Sequence, residues 1–219
     1  MPINDTTKNP APEGAAPEDT SPGSRRKSWA QYARRTVVLL AILTVLTGIA
    51  YPLFVTGVAQ VAFHHKAEGS LVVGNGQVAG STLIGQPFSS PRYFWSRPSS
   101  TAPYPYDGAA SGGSNLGPTN PARLQAVSDR IAALRAADPS NGAAVPIDLV
   151  TASASGLDPD ISPAAAEYQV GRVASARGLS TDSVRKLVAQ YTSGRQLGFL
   201  GEPRVNVLAL NMALDALGH

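Results

Sequence analysis

Three histidines stand in this sequence, at positions 64, 65 and 219, and there is no cysteine. That inventory excludes a Cys nucleophile, thiolate metal sites and disulfides. His64 and His65 adjoin an apolar run and His219 is the last residue, so a His general base or a Ser/His/Asp triad within the domain has no source. Adjacent histidines on a helix point in different directions, which argues against a metal pair there. No G-x-x-x-x-G-K-[ST] phosphate loop and no D-K-T-G phosphorylation sequence is present. Gly112-Gly113-Ser114-Asn115-Leu116 misses the G-x-S-x-G elbow at its last position. Gly74 to Gly80 reads GNGQVAG and misses the dinucleotide fingerprint by one residue. One loop pairs carboxylates, Asp158 and Asp160. Two such groups can do acid/base work or contribute to a Ca²⁺ site. The plainer reading is turn chemistry, with Asx side chains bonding their own backbone two residues on. On motifs alone the chain is no enzyme.

The elements that position these residues follow from one stretch. Residues 36–58, TVVLLAILTVLTGIAYPLFVTGV, contain no charged residue and no His, Asn or Gln. A helix rises ~1.5 Å per residue, so this run, bounded by Thr36 and Val58, reaches ~35 Å and spans a hydrocarbon core of ~30 Å. A buried core helix would show a polar face over this length. Pro52, one turn after Gly48, should loosen the span, a feature tolerated where neighbouring groups satisfy the freed backbone. Arg25, Arg26, Lys27, Arg34 and Arg35 precede the run, whereas His64, His65, Lys66 and Glu68 follow it. The positive-inside rule then puts the N-terminus in the cytoplasm and residues 59–219 outside. A cleaved signal peptide, with small residues at Gly57-Val58-Ala59, competes, but its apolar region is shorter and its basic lead is brief.

Net charge is +3, and much of the positive charge is the cluster before the span. The remainder has no basic stripe with interleaved aromatics, so nucleic acid is excluded as a partner class. Residues 1–24 are rich in Pro, Ala, Gly and Ser and are expected to be disordered; with the basic cluster, residues 1–35 make a cytoplasmic tail. Asn75-Gly76 between short apolar runs predicts a hairpin. Residues 85–120 are dense in Gly, Pro and Ser, yet Phe88, Tyr93, Phe94, Trp95, Tyr104 and Tyr106 argue for an ordered layer, packed on its own core or on a partner. Asn120 and Pro121 open a helix with Leu124, Val127, Ile131 and Leu134 on one apolar face. Residues 145–150 read as an edge strand behind Pro146. Ser162-Pro163 opens a helix to Arg177, closed by Gly178, and Ser180 caps another. Gly194 to Gly201 reads as a loop. A final helix starts at Asn206, with Val207, Leu210, Leu214 and Leu217 inward, and residues 205–210 could alternatively be a strand. The fold class is α+β: a single N-terminal transmembrane helix, then one soluble domain with a small sheet and about four helices.

Several stretches then carry a resemblance. They are Gly80-Ser81 through Gly85-Gln86, residues 93–99 (YFWSRPS), 111–120 (SGGSNLGPTN), 153–159 (SASGLDP), 161–163 (ISP), 169–174 (QVGRVA) and 200–208 (LGEPRVNVL). In this order they resemble the C subunit of the bacterial Kdp potassium-transporting ATPase, over residues 36–217. The sequence departs from that family's usual pattern at Asp160, where His is usual, and at Ala154, where Gly is usual. The Asp pair is therefore a local variant.

The resemblance implies a non-catalytic accessory subunit of a high-affinity, ATP-driven potassium uptake complex in the bacterial inner membrane. Its implied partners are an ATP-hydrolysing subunit, a channel-like subunit and membrane lipid. It also implies a proposed role as a chaperone that raises the ATP affinity of the hydrolysing subunit, with ATP met only within that complex and no cofactor of its own. The charge flank opposes that role, because it puts the domain away from cytoplasmic ATP; the alternative is an outer lid over the potassium entrance. A membrane-anchored hydrolase or solute binder using Asp158 and Asp160 is the remote third reading. Candidate partner-contact or loop-bracing residues are Arg97, Ser99, Ser114, Asn115, Ser155 and Asp158.

Overall fold

A computed structural model describes residues 22–74 and 76–217, with residues 22–27 described as backbone only. The expectation for residues 1–21 lies outside the described residues. The chain divides between Ala62 and Phe63 into two units.

The described residues of the first unit form a nearly continuous helix. α1 (Pro22–Val45) runs into a π-helical turn (Leu46–Ala50) and continues as α2 (Tyr51–Ala62). Here the structure corrects the boundary read from sequence: residues 22–35, expected to belong to an unstructured tail, are helical. Arg, Lys, Ala and Gln are good helix formers, and extending an existing helix avoids the cost of a new nucleus. The π turn ends just ahead of Pro52. Proline has no N–H, and its ring crowds the carbonyl of the preceding turn. The widened turn absorbs this: Tyr51 donates to the Leu46 carbonyl, five residues back. Thr47 Oγ1 donates to the Leu43 carbonyl at 2.7 Å, satisfying itself inside the apolar stretch. Ser28–Ala62 is the one helical stretch among the described residues long and apolar enough to cross a membrane, and none of its most apolar window is buried. Thr36, Pro52 and Val58 all lie in it with exposed side chains.

The second unit begins with a single turn, α3 (His64–Ala67), and the antiparallel hairpin β1 (Leu71–Gly74) and β2 (Gln77–Ser81), as the Asn-Gly signal predicts. A long irregular segment leads to α4 (Pro121–Ala137). β3 (Asp160–Ile161), α5 (Pro163–Arg177), α6 (Thr181–Gln190), β4 (Thr192–Ser193), β5 (Arg204–Asn206) and α7 (Val207–Ala216) follow. The second sheet is antiparallel in the order β3-β5-β4, with Ile161 opposite Val205 and Thr192 also opposite Val205. Four helices start at the residues expected, each because a side-chain oxygen meets an otherwise unpaired N–H: Asn120 to Ala122, Ser162 to Ala165, Ser180 to Ser183 and Asn206 to Ala209. Gly178 closes α5 in the left-handed conformation, with φ of 67°.

The core lies among α5, α6, α7 and the three-stranded sheet, where Val173, Val184, Val205, Leu210 and Leu214 are fully buried. Two expectations fail. Residues 145–150 form no strand; Ile147–Leu149 is a 3-10 turn. The Ile147 carbonyl accepts locally, from the Thr151 N–H at 2.9 Å and the Thr151 hydroxyl at 2.8 Å, so it is spent before any ladder can form. Leu124 and Leu217, at the outer ends of α4 and α7, are 57% and 52% exposed, because the core does not extend that far. The segment 194–201 is a loop, as expected, closed where Gln196 and Leu200 exchange backbone hydrogen bonds of 2.8 and 2.9 Å.

Candidate functional site

The irregular segment 85–120 is held to the domain at two places. The first is a lock between residues 97–113 and the loop 151–160. Ser99 Oγ donates to the Gly156 carbonyl at 2.7 Å and accepts from the Tyr106 N–H at 2.9 Å and the Thr101 N–H at 3.3 Å. Arg97 Nη1 meets Asp158 Oδ2 at 3.1 Å, and Arg97 Nε reaches the Thr151 carbonyl at 3.3 Å. The Ser155 carbonyl accepts from the Gly112 N–H at 2.8 Å and from the Ser111 hydroxyl at 3.1 Å, while the Ser155 hydroxyl accepts from the Leu157 N–H. Tyr106 OH donates to the Arg97 carbonyl. Burial pushes the Tyr106 phenol up to about 12.

Glycine is required where these strands touch. A Cβ on Gly85 would lie 2.6 Å from the Asp158 carbonyl oxygen, and one on Gly156 2.7 Å from the Gly112 carbonyl oxygen. Gly156 also has φ of 68°, a conformation that costs an L side chain energy.

Four of the six residues singled out from sequence, Arg97, Ser99, Ser155 and Asp158, thus meet in this one lock. The other two do not join it. Ser114 and Asn115 are exposed. Ser114 lines an open groove of about 290 Å³ that Arg123, Arg130 and Val150 also line. Asn115 takes a left-handed φ of 52°, which Asn tolerates better than most residues.

The carboxylate pair is fully engaged in the fold. Asp158 Oδ1 accepts from the Asp160 N–H at 3.1 Å, the turn bond expected of an Asx residue. Asp160 Oδ1 accepts from Asn206 Nδ2 at 3.2 Å, and its Oδ2 pairs with Arg204 Nε at 3.1 Å. Burial raises the Asp160 pKa, opposed by Asn206 and Arg204 and reinforced by the charge of Asp158. No group of three His, Asp or Glu side chains capable of holding a metal occurs among the described residues.

The second attachment escapes a sequence reading based on motifs. It ties residues 91–95 to α5 and α7 through buried polar side chains. Asn211 clasps Phe94, accepting from its N–H at 2.9 Å and donating to its carbonyl at 3.0 Å. Gln169 does the same for Trp95, at 2.8 and 3.2 Å. Arg172 donates to the Pro91 carbonyl at 2.7 Å and lies 4.5 Å from the Trp95 ring. Burial lowers the Arg172 pKa to about 10, which leaves the guanidinium charged at neutral pH. Arg177 donates to the Arg92 carbonyl and to Asp215 Oδ1, both at 2.7 Å, beneath the Tyr93 ring. The signal was available: Asn211 falls between Val207 and Leu214 at helical spacing, and Gln169 lies between Ala165 and Val173. A polar residue on an apolar helix face must find a partner inside.

The arrangement therefore ties a long aromatic segment to the rest of the domain. Comparison with known proteins gives it a context. The profile of the family described as KdpC, the c chain of the K⁺-transporting ATPase, matches residues 33–216. The potassium-transporting ATPase KdpC subunit of Sorangium cellulosum is 66% identical over 184 residues, covering 84% of this chain and 97% of the relative. That of Variovorax paradoxus is 65% identical over 183 residues, with 84% and 95% covered. That of Methylococcus capsulatus is 61% identical over 181 residues, with 83% and 95% covered. The apolar helix from residue 33, the locked segment and the C-terminal helices all fall within the profile match, and the chain belongs to the KdpC family, the c chain of the K⁺-transporting ATPase.

Proposed function

We propose that this chain is a non-catalytic accessory subunit of an ATP-driven potassium uptake complex, fixed to the bacterial inner membrane by one span within residues 28–62. Its partners in this reading are the ATP-hydrolysing and channel-like subunits and the surrounding lipid. The observation that carries it is the family match across both the apolar helix and the whole domain. The engagement of Asp158 and Asp160 by Arg97, Arg204 and Asn206 supports the non-catalytic part. Loss of the chain should abolish high-affinity potassium uptake at micromolar potassium. Uptake unchanged in a deletion strain would reject the assignment.

The role within the complex turns on which side the domain faces. The five basic residues at positions 25–27, 34 and 35 favour a cytoplasmic N-terminus and an outer domain. An outer domain serves as a lid over the potassium entrance and makes no contact with cytoplasmic ATP. The competing role, raising the ATP affinity of the hydrolysing subunit by direct nucleotide contact, needs the domain inside. The native chain has no cysteine, so single Ser24→Cys and Ser128→Cys variants report sidedness to an impermeant maleimide in intact cells, with the outer membrane permeabilised. Ser128 is exposed on α4. Labelling at 128 and not at 24 supports the lid. The reverse pattern rejects it and favours the nucleotide role.

A further inference from the structure

Arg97, Arg177, Arg185, Arg195 and Arg204 each meet a carboxylate at 2.7–3.1 Å. Among the described residues Arg123 and Arg130 meet none, although both are half-buried. They line one groove, the open one of about 290 Å³ that Ser114 also borders. Positions 123, 127 and 130 fall at i, i+4 and i+7 and so share one face of α4. The two arginines therefore start about 10 Å apart along the helix axis, with Val127 between them.

What the groove has to spare is hydrogen-bond donors. Arg123 makes no hydrogen bond or ion pair among the described residues. Arg130 Nη1 donates to the Val150 carbonyl at 2.9 Å, and the rest of its fork is uncommitted. No side chain lining the groove is a carboxylate or an amide. The Val150 and Thr151 carbonyls at its edge already accept from Arg130 and Arg97. Burial lowers the Arg130 pKa, and the group that offsets this is the Tyr106 phenol rather than a carboxylate. A part-buried cation without a counter-ion carries a desolvation cost that an incoming anion offsets. The walls are fixed in advance. Arg130 pins α4 to the turn at Val150, and Gly112 and Gly113, just before Ser114, belong to the lock: Gly112 N–H donates to the Ser155 carbonyl, and a Cβ on Gly113 would lie 2.9 Å from the Ala154 carbonyl oxygen.

We propose that this groove takes an acidic segment of another subunit, with a carboxylate on each guanidinium and aliphatic carbon between them over Val127 and Leu116. The inference rests on reading the chain as one subunit of a complex. Charge complementarity sets the chemistry: free donors with no free carboxylate among them call for an acceptor, and the guanidinium fork matches a carboxylate in two parallel bonds. The apolar floor between the arginines selects an organic occupant, because an inorganic anion has no carbon to cover Val127 and Leu116. The open shape favours a protein segment over a free dicarboxylate. A small molecule there stays largely hydrated and gives up its translational freedom, whereas carboxylates carried on an already bound subunit arrive at high effective concentration.

The test uses the full chain, expressed with its other subunits and purified as the complex in detergent. Arg123→Lys keeps the positive charge but supplies an amine that couples to a touching carboxylate under a water-soluble carbodiimide. The carboxyl oxygen leaves with the carbodiimide as its urea, and an amide joins the two side chains. Arg123 holds nothing in the fold, so the substitution leaves it intact. Arg135→Lys is the control, exposed on α4 and outside the groove. Peptide mass spectrometry of the digested complex reads the links. The expected result is an amide from position 123 to an Asp or Glu of another subunit, at a yield several-fold above that from position 135. Equal yields from the two positions, or none from 123, overturn the proposal while the intact complex leaves the subunit reading standing. A link from 123 to this chain itself or to a second copy of it also overturns the assignment. If no other subunit purifies with the chain, the subunit reading falls and the proposal with it.

Discussion

The Ser99 hydroxyl serves the Gly156 carbonyl and two N–H groups at once, so Ser99→Ala removes one donor and strands three partners. Leaving partly buried polar groups unpaired costs about 1–3 kcal/mol. Urea unfolding should show a lower midpoint with unchanged slope. The Arg97–Asp158 pair is about a third exposed on both sides, so its share is smaller, about 0.5–1 kcal/mol after solvent screening. Tyr106 gives a pH signature. Its folded pKa is raised from 10.0 to about 12, so the folded state holds the phenol proton more tightly than the unfolded chain does. That stabilisation is complete below pH 10 and is lost as pH rises to about 12. The melting temperature should fall through this window and fall less steeply in Tyr106→Phe. Equal slopes would show that Tyr106 does not carry the effect.

At the scale of elements, the domain depends on helices that clasp an irregular strap. α7 holds Phe94 through Asn211, and α5 holds Trp95 through Gln169. Asn211→Leu keeps the number and branching of the side-chain heavy atoms and removes both bonds from a fully buried site. It should cost about 2–4 kcal/mol, because the Phe94 N–H and C=O are left without partners. It should also speed tryptic cleavage at Arg92, which can be followed by mass spectrometry. Tyr104→Ser is the contrast: its ring is 58% exposed, and its replacement should change stability by no more than about 0.5 kcal/mol. A neutral Asn211→Leu would mean that the clasp is incidental.

At the scale of the molecule, the second unit has its own core, linking α5, α6, α7 and the sheet through Val173, Val184, Val205 and Leu210. A chain of residues 63–219 should therefore fold alone and melt in one transition, by calorimetry and by tryptophan fluorescence together. Two separated transitions would contradict a single core. The local signals in the sequence were sufficient for the apolar helix, the Asn-Gly hairpin and the four helix starts at Asn120, Ser162, Ser180 and Asn206, because each depends on residues within one turn of one another. The same locality explains the misreadings. Residues 145–150 have strand-like composition, but only the folded chain shows that Thr151 takes the Ile147 carbonyl. Leu124 and Leu217 have core periodicity, but only packing shows where the core stops. In the lock, Arg97 and Asp158 could be singled out by type, yet their pairing spans a separation of 61 residues. The Asn211–Phe94 clasp spans 117. Local sequence specified the apolar helix, the hairpin, four helix starts and the family; tertiary structure alone decided which polar groups meet across those separations. The reason is physical: helix caps and turns close over a few bonds of the chain, whereas a buried amide takes whatever partner the packed core brings to it.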